Sequence, residues 1–290
     1  GLGGGSSMDI AKLAAVLLVT AQELSDLYGI GKIRGARTPL VQVPTTAGTG
    51  SEMTNITILT TGETTKMGII GHQLYADRVL LDAELTLGLP AVQTAATGID
   101  AMVHAIEAFT SKHLKNPLSD VFAREAMRLM APNLVTACTQ PDNRAAREAM
   151  LLGSALAGQA FANSPVAAVH ALAYPLGGHY HLPHGLTNAL MLGPVLRYNI
   201  RVAAPLYAEL ADVVLGRSDE GVQARAAAFV AYMADLMDRS GAPRRLRDCQ
   251  VTEESLPMLA RDAMLQSRLL VNNPVEVTEA DALALYREAF

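Results

Sequence analysis

The first 90 residues alternate between helical and extended patterns of apolar positions. Apolar residues at helical spacing follow a glycine turn at residues 3–6 and predict a helix from about residue 7. Extended segments are predicted at residues 39–44, 54–61, 66–70 and 78–81, with a turn at 62 and 63 and a buried strand in the last segment. This mixture of elements predicts an α/β fold.

From residue 90 onward, Ala, Leu and Met recur at helical spacing and strand-like alternation almost disappears. Helices are predicted at residues 92–112, 117–138, 143–163, 165–176, 185–197, 219–240, 252–267 and 278–289. Residues 218 and 219 and Thr278 suit helix N-caps, and Gly241 suits a helix end. The change of pattern predicts a boundary between an α/β portion, residues 1–90, and an all-helical portion, residues 91–290.

Composition narrows the class of protein. Half of the 290 residues are apolar and 18% are charged, so the chain can bury a large core. A net charge of −5 argues against binding nucleic acid, and the longest apolar stretch, residues 13–19, is too short to cross a bilayer. Cys138 and Cys249 are far apart and lack metal-ligand spacing, which favours the reducing cytoplasm.

Four residues have the chemistry of a metal site. Asp100 and His104 are four positions apart, which puts both on one face of a helix. His170 begins an apolar helical stretch, and His184 lies in a Pro-His-Gly turn. Together, three imidazoles and one carboxylate suit a divalent first-row metal with a position left for substrate. From spacing alone, a metal site and separate structural roles both stay open.

Two small-residue segments suit a ligand. The glycines at residues 3–5 and Ser6 precede a helix, whose backbone N–H groups and dipole suit a pyrophosphate, although the segment is not a GxGxxG motif. Residues 44–52, Pro-Thr-Thr-Ala-Gly-Thr-Gly-Ser-Glu, combine hydroxyls with glycines that permit close approach of a ligand. A structural turn and a polar loop closed by helix caps explain the same residues.

Taken together, four blocks resemble the iron-containing (group III) alcohol dehydrogenases. They are residues 3–12, 44–52, 96–107 and 170–185, in the family's order. The resemblance implies a dehydroquinate synthase-like fold: a Rossmann-like α/β cofactor domain, incomplete at its N-terminus, followed by an all-α metal-binding domain. The active site is then expected between the two, and residues 1–90 become the nucleotide-binding portion.

The resemblance also implies roles for single residues. Asp100, His104, His170 and His184 match the metal ligands, with Fe²⁺ expected and Zn²⁺ as the alternative. The positions that match the binding site for NAD or NADP are Gly4, Gly5, Ser6, Asp9, Thr45, Thr46, Thr49 and Lys66. The implied reaction is hydride transfer between the nicotinamide and a small alcohol, aldehyde or ketone, in a protein that we expect to be a homo-oligomer.

Two features depart from the family pattern. Many members have a second histidine, which relays a proton, four residues after the third metal ligand, whereas this chain has Tyr174. Our hypothesis is that His179, His181 or a water chain takes over the relay, with a plain packing role for Tyr174 as the alternative. Members also carry an upstream segment, and the glycine turn at the start of this chain ordinarily follows a strand, so we expect further chain before Gly1.

Other functions remain open from the sequence. Maleylacetate reductase and hydroxyacid–oxoacid transhydrogenase keep the fold and change the substrate. A metal-dependent lyase resembling the dehydroquinate synthases, a metallohydrolase and a non-catalytic helical module with a structural metal belong to other classes. A hydrolase would use a glutamate beside the metal, as in HExxH, which is absent. Glu107, one turn after His104, is instead interpreted as supporting that imidazole.

Overall fold

The computed structural model describes residues 1–61 and 65–290, without the side chains of residues 60, 65 and 66. Its strands are β1 Leu2–Gly3, β2 Gly29–Ile30, β3 Val41–Pro44, β4 Ile56–Thr61, β5 Thr65–Ile70 and β6 Arg78–Val79. Its α-helices are α1 Gly5–Leu17, α2 Leu24–Leu27, α3 Ala91–Thr110, α4 Pro117–Met130, α5 Leu134–Thr139, α6 Arg144–Asn163, α7 Ala168–Tyr180, α8 His184–Val214, α9 Val222–Ser240, α10 Leu256–Met264, α11 Ser267–Leu270 and α12 Glu279–Ala289.

The strands form two small sheets beside α1. In one, β3 pairs in parallel with β1 and with β6, and in the other β5 pairs in parallel with β2 and antiparallel with β4. Leu13 and Val16 of α1 pack in a small core with Ile69 and Leu74. The glycine turn therefore lies at the carboxyl end of parallel strand β1, the edge at which α/β sheets bind ligands.

The helical portion is built around α3. Every residue from Gly98 to Thr110 is buried, and α3 packs against α4, α6 and α8. Alanines at 101, 105 and 108 let these neighbours approach closely, as dense packing requires. In the described part of the chain, every helix falls short of the length or apolarity needed to cross a membrane.

Several sequence predictions are confirmed. The helices expected at 92–112, 143–163, 219–240 and 278–289 are α3, α6, α9 and α12. Thr278 caps α12 by accepting a hydrogen bond from the backbone N–H of Asp281, and Gly241 ends α9 with φ of 75°. The expected strands at 54–61 and 66–70 form the antiparallel pair β4 and β5. The turn predicted at residues 62 and 63 lies outside the described residues.

Two predictions about single elements are wrong. The helix expected at 117–138 is divided into α4 and α5, because Pro132 lacks the N–H that a continuous helix needs. The strand expected to be buried at 78–81 is the two-residue β6 at a sheet edge, where Leu80 is 55% exposed.

Three helix boundaries also differ. The helix expected at 185–197 runs to Val214 as α8, through Pro194 and Pro205, because packing against α9 and α3 favours a continuous helix. The helix expected at 165–176 starts at Ala168 and continues to Tyr180, and that expected at 252–267 is divided between a 3₁₀ turn, α10 and α11. The cap expected at residues 218 and 219 is provided by Gly221.

Candidate metal centre and cofactor cleft

The structure brings the four predicted metal ligands together. Asp100 and His104 lie on successive turns of α3, His170 lies in the first turn of α7, and His184 begins α8. The Asp100 Oδ1 atom is 3.9 Å from His104 Nε2, 3.9 Å from His170 Nε2 and 3.7 Å from His184 Nε2. One potential ligand atom from each residue lies within 4.8 Å of the others, so one ion can contact all four.

A glycine allows α8 to reach this cluster. A Cβ atom at Gly185 would lie 2.6 Å from the carbonyl oxygen of Ala96 and 2.8 Å from its carbonyl carbon, both in the backbone of α3. Only a residue without a side chain fits this contact. Gly185 thereby places the preceding His184 beside Asp100.

Glu107 fixes the orientation of His170. Its Oε2 atom accepts from His170 Nδ1 at 2.6 Å and from the Ala167 N–H at 2.9 Å, while Oε1 accepts from the Val169 N–H at 2.7 Å. The carboxylate therefore caps the start of α7 and holds the Nδ1 proton of His170, which leaves the Nε2 lone pair facing Asp100. The interpretation that Glu107 supports His104 is wrong, because its carboxylate oxygens contact His170.

Asn188, one turn after His184, lies at the centre of the cluster. Its Nδ2 group donates to Asp100 Oδ1 and is 3.2 Å from His170 Nε2 and 3.3 Å from His184 Nε2. Three acceptors therefore point at one partly positive group, while the buried Oδ1 of Asn188 has no hydrogen-bond partner among the described residues. This electron-rich centre, with one carboxylate and imidazole nitrogens, fits a divalent first-row metal ion.

The protonation states also suit a metal. Burial lowers the pKa of His104 to about 4, so its imidazole is neutral at pH 7 and retains a lone pair. Burial raises the pKa of Asp100, but the neighbouring imidazoles and the Asn188 amide outweigh burial and hold that pKa below its ordinary value. A carboxylate and neutral imidazoles are the forms that bind metal.

The metal-ligand cluster and the glycine turn face one cavity of about 490 Å³. Its lining includes His104, His170, His184, Gly5, Ser6, Asp9 and Thr49. The volume lies within the usual range for small-molecule sites, about 300–1,000 Å³. Groups suited to a pyrophosphate and groups suited to a metal therefore open onto the same space.

Three other predicted cofactor residues, Gly4, Thr45 and Thr46, are not among the described residues that line the cavity. Gly4 is the N-cap of α1, and a Cβ atom there would lie 3.6 Å from the side chain of Thr46. The N–H of Thr45 donates to the carbonyl of Gly3 at 3.0 Å, which joins the two small-residue segments. The side chain of Lys66 lies outside the described residues.

A buried lysine, Lys12, which the sequence analysis did not single out, stabilises the cavity wall beside the glycine turn. Asp9, which lines the cavity, accepts from Ser51 Oγ at 2.6 Å, and its carboxylate is 3.7 Å from the Nζ atom of Lys12. Lys12 is fully buried, and its Nζ donates to Ser51 Oγ at 2.8 Å, Thr54 Oγ1 at 3.0 Å and the Ile56 carbonyl at 2.7 Å. The spacing of Asp9 and Lys12, one helical turn, was the available signal.

Tyr174 lies in the cavity wall, with its ring centroid 5.9 Å from that of His184. Burial raises the pKa of this phenol, so it stays protonated at neutral pH. His179 instead pairs with Asp262 at 2.6 Å, and neither His179 nor His181 is among the residues that line the cavity. Their positions do not support a relay through either histidine, and a relay through water stays a hypothesis.

Comparison with known proteins decides the family. Residues 1–83 match the family described as iron-containing alcohol dehydrogenase, and residues 94–290 match the Fe-containing alcohol dehydrogenase family, C-terminal. The chain belongs to the iron-containing alcohol dehydrogenase family. This confirms the predicted fold class and the predicted enzyme class.

Relatives of this iron-containing alcohol dehydrogenase extend over its whole length. It is 40% identical to long-chain-alcohol dehydrogenase 1 of Geobacillus thermodenitrificans, across 100% of this chain and 74% of the relative. The crystal structure of a 1,3-propanediol oxidoreductase superimposes with a TM-score of 0.95 at 37% identity, across 100% of this chain and 76% of the other. The sulfoacetaldehyde reductase of Bifidobacterium kashiwanohense, solved with NAD⁺, gives a TM-score of 0.89 at 34% identity, across 99% and 74%.

Proposed function

We propose that this protein moves a hydride between NAD(P) and a short alcohol or the corresponding carbonyl compound. The observation that carries the proposal is the convergence of Asp100, His104, His170 and His184 on the cavity that the glycine turn also lines. Membership of a family of iron-containing alcohol dehydrogenases supports it, as does a relative solved with bound NAD⁺.

The cofactor-binding part of the proposal rests on the start of α1. Backbone N–H groups of Gly5 and Ser6 lie at a helix N-terminus, where they suit the pyrophosphate of the dinucleotide. Asp9 and Thr49, in the same cavity, are assigned to the nicotinamide end, with Lys12 holding the Asp9 carboxylate in position. We add Gly4, Thr45, Thr46 and Lys66 to this site, because they match the cofactor-binding positions of the family.

The same four ligands would hold Fe²⁺, with Zn²⁺ as the alternative. Sites of this kind bind Zn²⁺ more tightly than Fe²⁺, so the ion that is loaded depends on the supply of each metal. When bound, the ion supplies Lewis-acid polarisation of the substrate oxygen. Glu107 keeps the His170 lone pair available, and the amide of Asn188 is positioned to orient the Asp100 carboxylate.

In alcohol oxidation, the bound nicotinamide would accept a hydride from the carbinol carbon of the substrate, and the hydroxyl proton would pass to solvent. Phe161, Val166 and Leu269 give the cavity an apolar wall that excludes water from the path of the hydride. The Oη atom of Tyr174 keeps its proton at neutral pH, so Tyr174 acts by packing against His184 and accepts no proton.

We assign these tasks to two portions, a nucleotide-binding portion at residues 1–90 and a metal-binding portion at residues 91–290. A separate core in each supports the division: Leu13, Val16 and Ile69 belong to one, and Ile99 and Phe109 to the other. Differential scanning calorimetry with added NADH and with added metal tests it, since each ligand should raise the melting temperature of a different transition.

We also propose that the protein is a cytoplasmic homo-oligomer. Unpaired Cys138 and Cys249 suit a reducing compartment. Leu118 and Val121, on α4, are 72% and 56% exposed, which favours burial against a second copy. Analytical ultracentrifugation that shows a monomer at micromolar concentration would contradict self-association.

The proposed reaction is tested with purified protein loaded with Fe²⁺ or Zn²⁺. NADH and NADPH oxidation is followed at 340 nm with a panel of short aldehydes, for the wild type and His104→Ala. We expect turnover by the wild type that the variant loses, together with stoichiometric bound metal. Turnover that needs an oxoacid and no added nicotinamide would indicate a transhydrogenase instead, and metal-replete protein that oxidises neither cofactor would refute the proposal.

A further inference from the structure

Arg268 is the only lysine or arginine among the cavity-lining residues that the structure describes. It lies in α11, far along the chain from the glycine turn at residues 3–6. Within the described ranges, its guanidinium forms no ion pair, whereas nearby Asp262 is paired with His179. A cationic guanidinium thus borders the cavity with no anionic partner among the residues that the structure describes.

The backbone that carries Arg268 is firmly attached to the cavity wall. The Nδ2 group of Asn272 donates to the carbonyl of Val166 at 3.1 Å and to the carbonyl of Arg268 at 3.1 Å. The Asn272 carbonyl in turn accepts from the Lys112 N–H at 2.8 Å, and Leu269 is buried. The side chain of Arg268 therefore extends from a fixed position, which reduces the entropy lost when it binds a ligand.

Arg268 lines the same cavity as His104, His170 and His184 of the metal-ligand cluster. Tyr174 lines this cavity as well, and its ring centroid is 5.9 Å from that of His184. A small substrate bound in this cavity can therefore lie between the guanidinium and the cluster.

Part of the cavity wall is apolar. It is contributed by Leu114, Phe161, Pro165, Val166 and Leu269. Such a wall suits a short carbon chain and excludes water, which strengthens a charge-assisted hydrogen bond at its end. A guanidinium binds carboxylate and other planar or tetrahedral oxoanions through two parallel N–H donors.

We propose that Arg268 selects substrates in which an anionic carboxylate or sulfonate group lies a few bonds from the reacting alcohol or aldehyde carbon. The inference rests on the proposed dehydrogenase function and adds a substrate class to it. Arg268 contacts the end of the substrate that does not react, so it determines specificity and takes no part in the hydride step.

The test compares two aldehydes of nearly equal shape, 4-oxobutanoate and its neutral methyl ester, in metal-loaded protein with saturating NADH or NADPH. We expect kcat/KM for the acid to exceed that for the ester by roughly tenfold to hundredfold, as a charge-assisted hydrogen bond gives. Arg268→Met should remove this preference and change kcat/KM for the ester by less than about twofold. Arg268→Lys should restore part of the preference, since it keeps the charge without the fork.

Arg261→Met is the matched control, because Arg261 is an exposed arginine of α10 that does not line the cavity. We expect the control to keep the preference. Replacing 4-oxobutanoate by 2-oxoethanesulfonate then distinguishes a site for carboxylates from one for sulfonates. A KM for the nicotinamide that rises in Arg268→Met with both aldehydes would show that Arg268 binds the cofactor, and would overturn the inference.

Calorimetric titration of 4-hydroxybutanoate and 1-butanol into the metal-loaded protein separates recognition from turnover. Tighter binding of the acid that is lost in Arg268→Met supports the inference even if no aldehyde is reduced, in which case the proposed reaction alone fails. Equal binding of the two alcohols, or an equal loss of acid and ester turnover in Arg268→Met, would overturn the inference while the dehydrogenase function stands.

Discussion

Replacing Lys12 with methionine tests the buried network that holds Asp9 in the cavity wall. The substitution keeps most of the side-chain volume and removes the Nζ group, which donates three hydrogen bonds of 2.7–3.0 Å. At about 1 kcal/mol for each lost hydrogen bond, and with the Asp9 carboxylate left without a counter-charge, we expect a loss of about 3 kcal/mol in the free energy of unfolding at pH 7.

The free energy of unfolding should also depend on pH in a way that Lys12 determines. Burial lowers the pKa of Lys12 from its ordinary 10.5 to about 8 in the folded protein. Between these values the unfolded chain keeps a proton that the native state has lost, so the stability of the wild type rises with pH in this window. At about 1.36 kcal/mol per pKa unit, Lys12→Met should become less stable than the wild type by a further 2 to 3 kcal/mol, roughly, at pH 10.

Urea unfolding of both proteins at pH 7 and pH 10, followed by circular dichroism, measures these differences. Lys32→Met is the matched control, because Lys32 is an exposed lysine of the same α/β portion. A gap between wild type and Lys12→Met that stays constant or narrows with pH would refute the reasoning. A second readout is the KM for NADH, which we expect to rise because the Asp9 carboxylate loses its contact with Lys12 and keeps only its hydrogen-bond donors.

Three further substitutions test the cavity and its support. Gly185→Ala should push α8 away from α3 and lower metal affinity at least about tenfold by competitive chelator titration, whereas Gly88→Ala, where a Cβ meets nothing within 4 Å, should not. Glu107→Gln removes the charge that holds the His170 Nδ1 proton, and should lower metal affinity by roughly tenfold to hundredfold in the same titration. Burial raises the pKa of Glu52 from 4.5 to about 7, so its contribution to stability is present below about pH 4.5 and lost as pH rises through 7. Glu52→Gln should therefore be more stable than the wild type at pH 8 by up to about 3 kcal/mol in urea unfolding, and a difference between variant and wild type that is the same at pH 4.5 and pH 8 would contradict this.

Local sequence signals predicted the parts of the fold that depend on local chemistry. The extent of α3 and the N-cap at Thr278 follow from periodicity and capping, and Asp100 and His104 share a helix face because of their spacing. The division of α4 from α5 was also readable, since Pro132 breaks the helix. Continuation of α8 through Pro194 was not, because it depends on burial against other helices.

The site shows the same division between local and tertiary information. The sequence indicated the four metal ligands. Their convergence on one point depends on tertiary packing, because Gly185 lets α8 contact α3. Glu107 was assigned to the wrong imidazole, because sequence shows its neighbours along α3 and not the approach of α7. Arg268 and Asn188 carried no motif, and only the folded chain brings them to the cavity and the cluster.

X-ray diffraction at the zinc absorption edge, from crystals of the metal-loaded protein, shows whether the four residues hold one ion. We expect one anomalous peak about 2.0–2.2 Å from a carboxylate oxygen of Asp100 and from Nε2 of His104, His170 and His184. A peak held by other residues, or no peak in protein that carries one equivalent of metal, would contradict it.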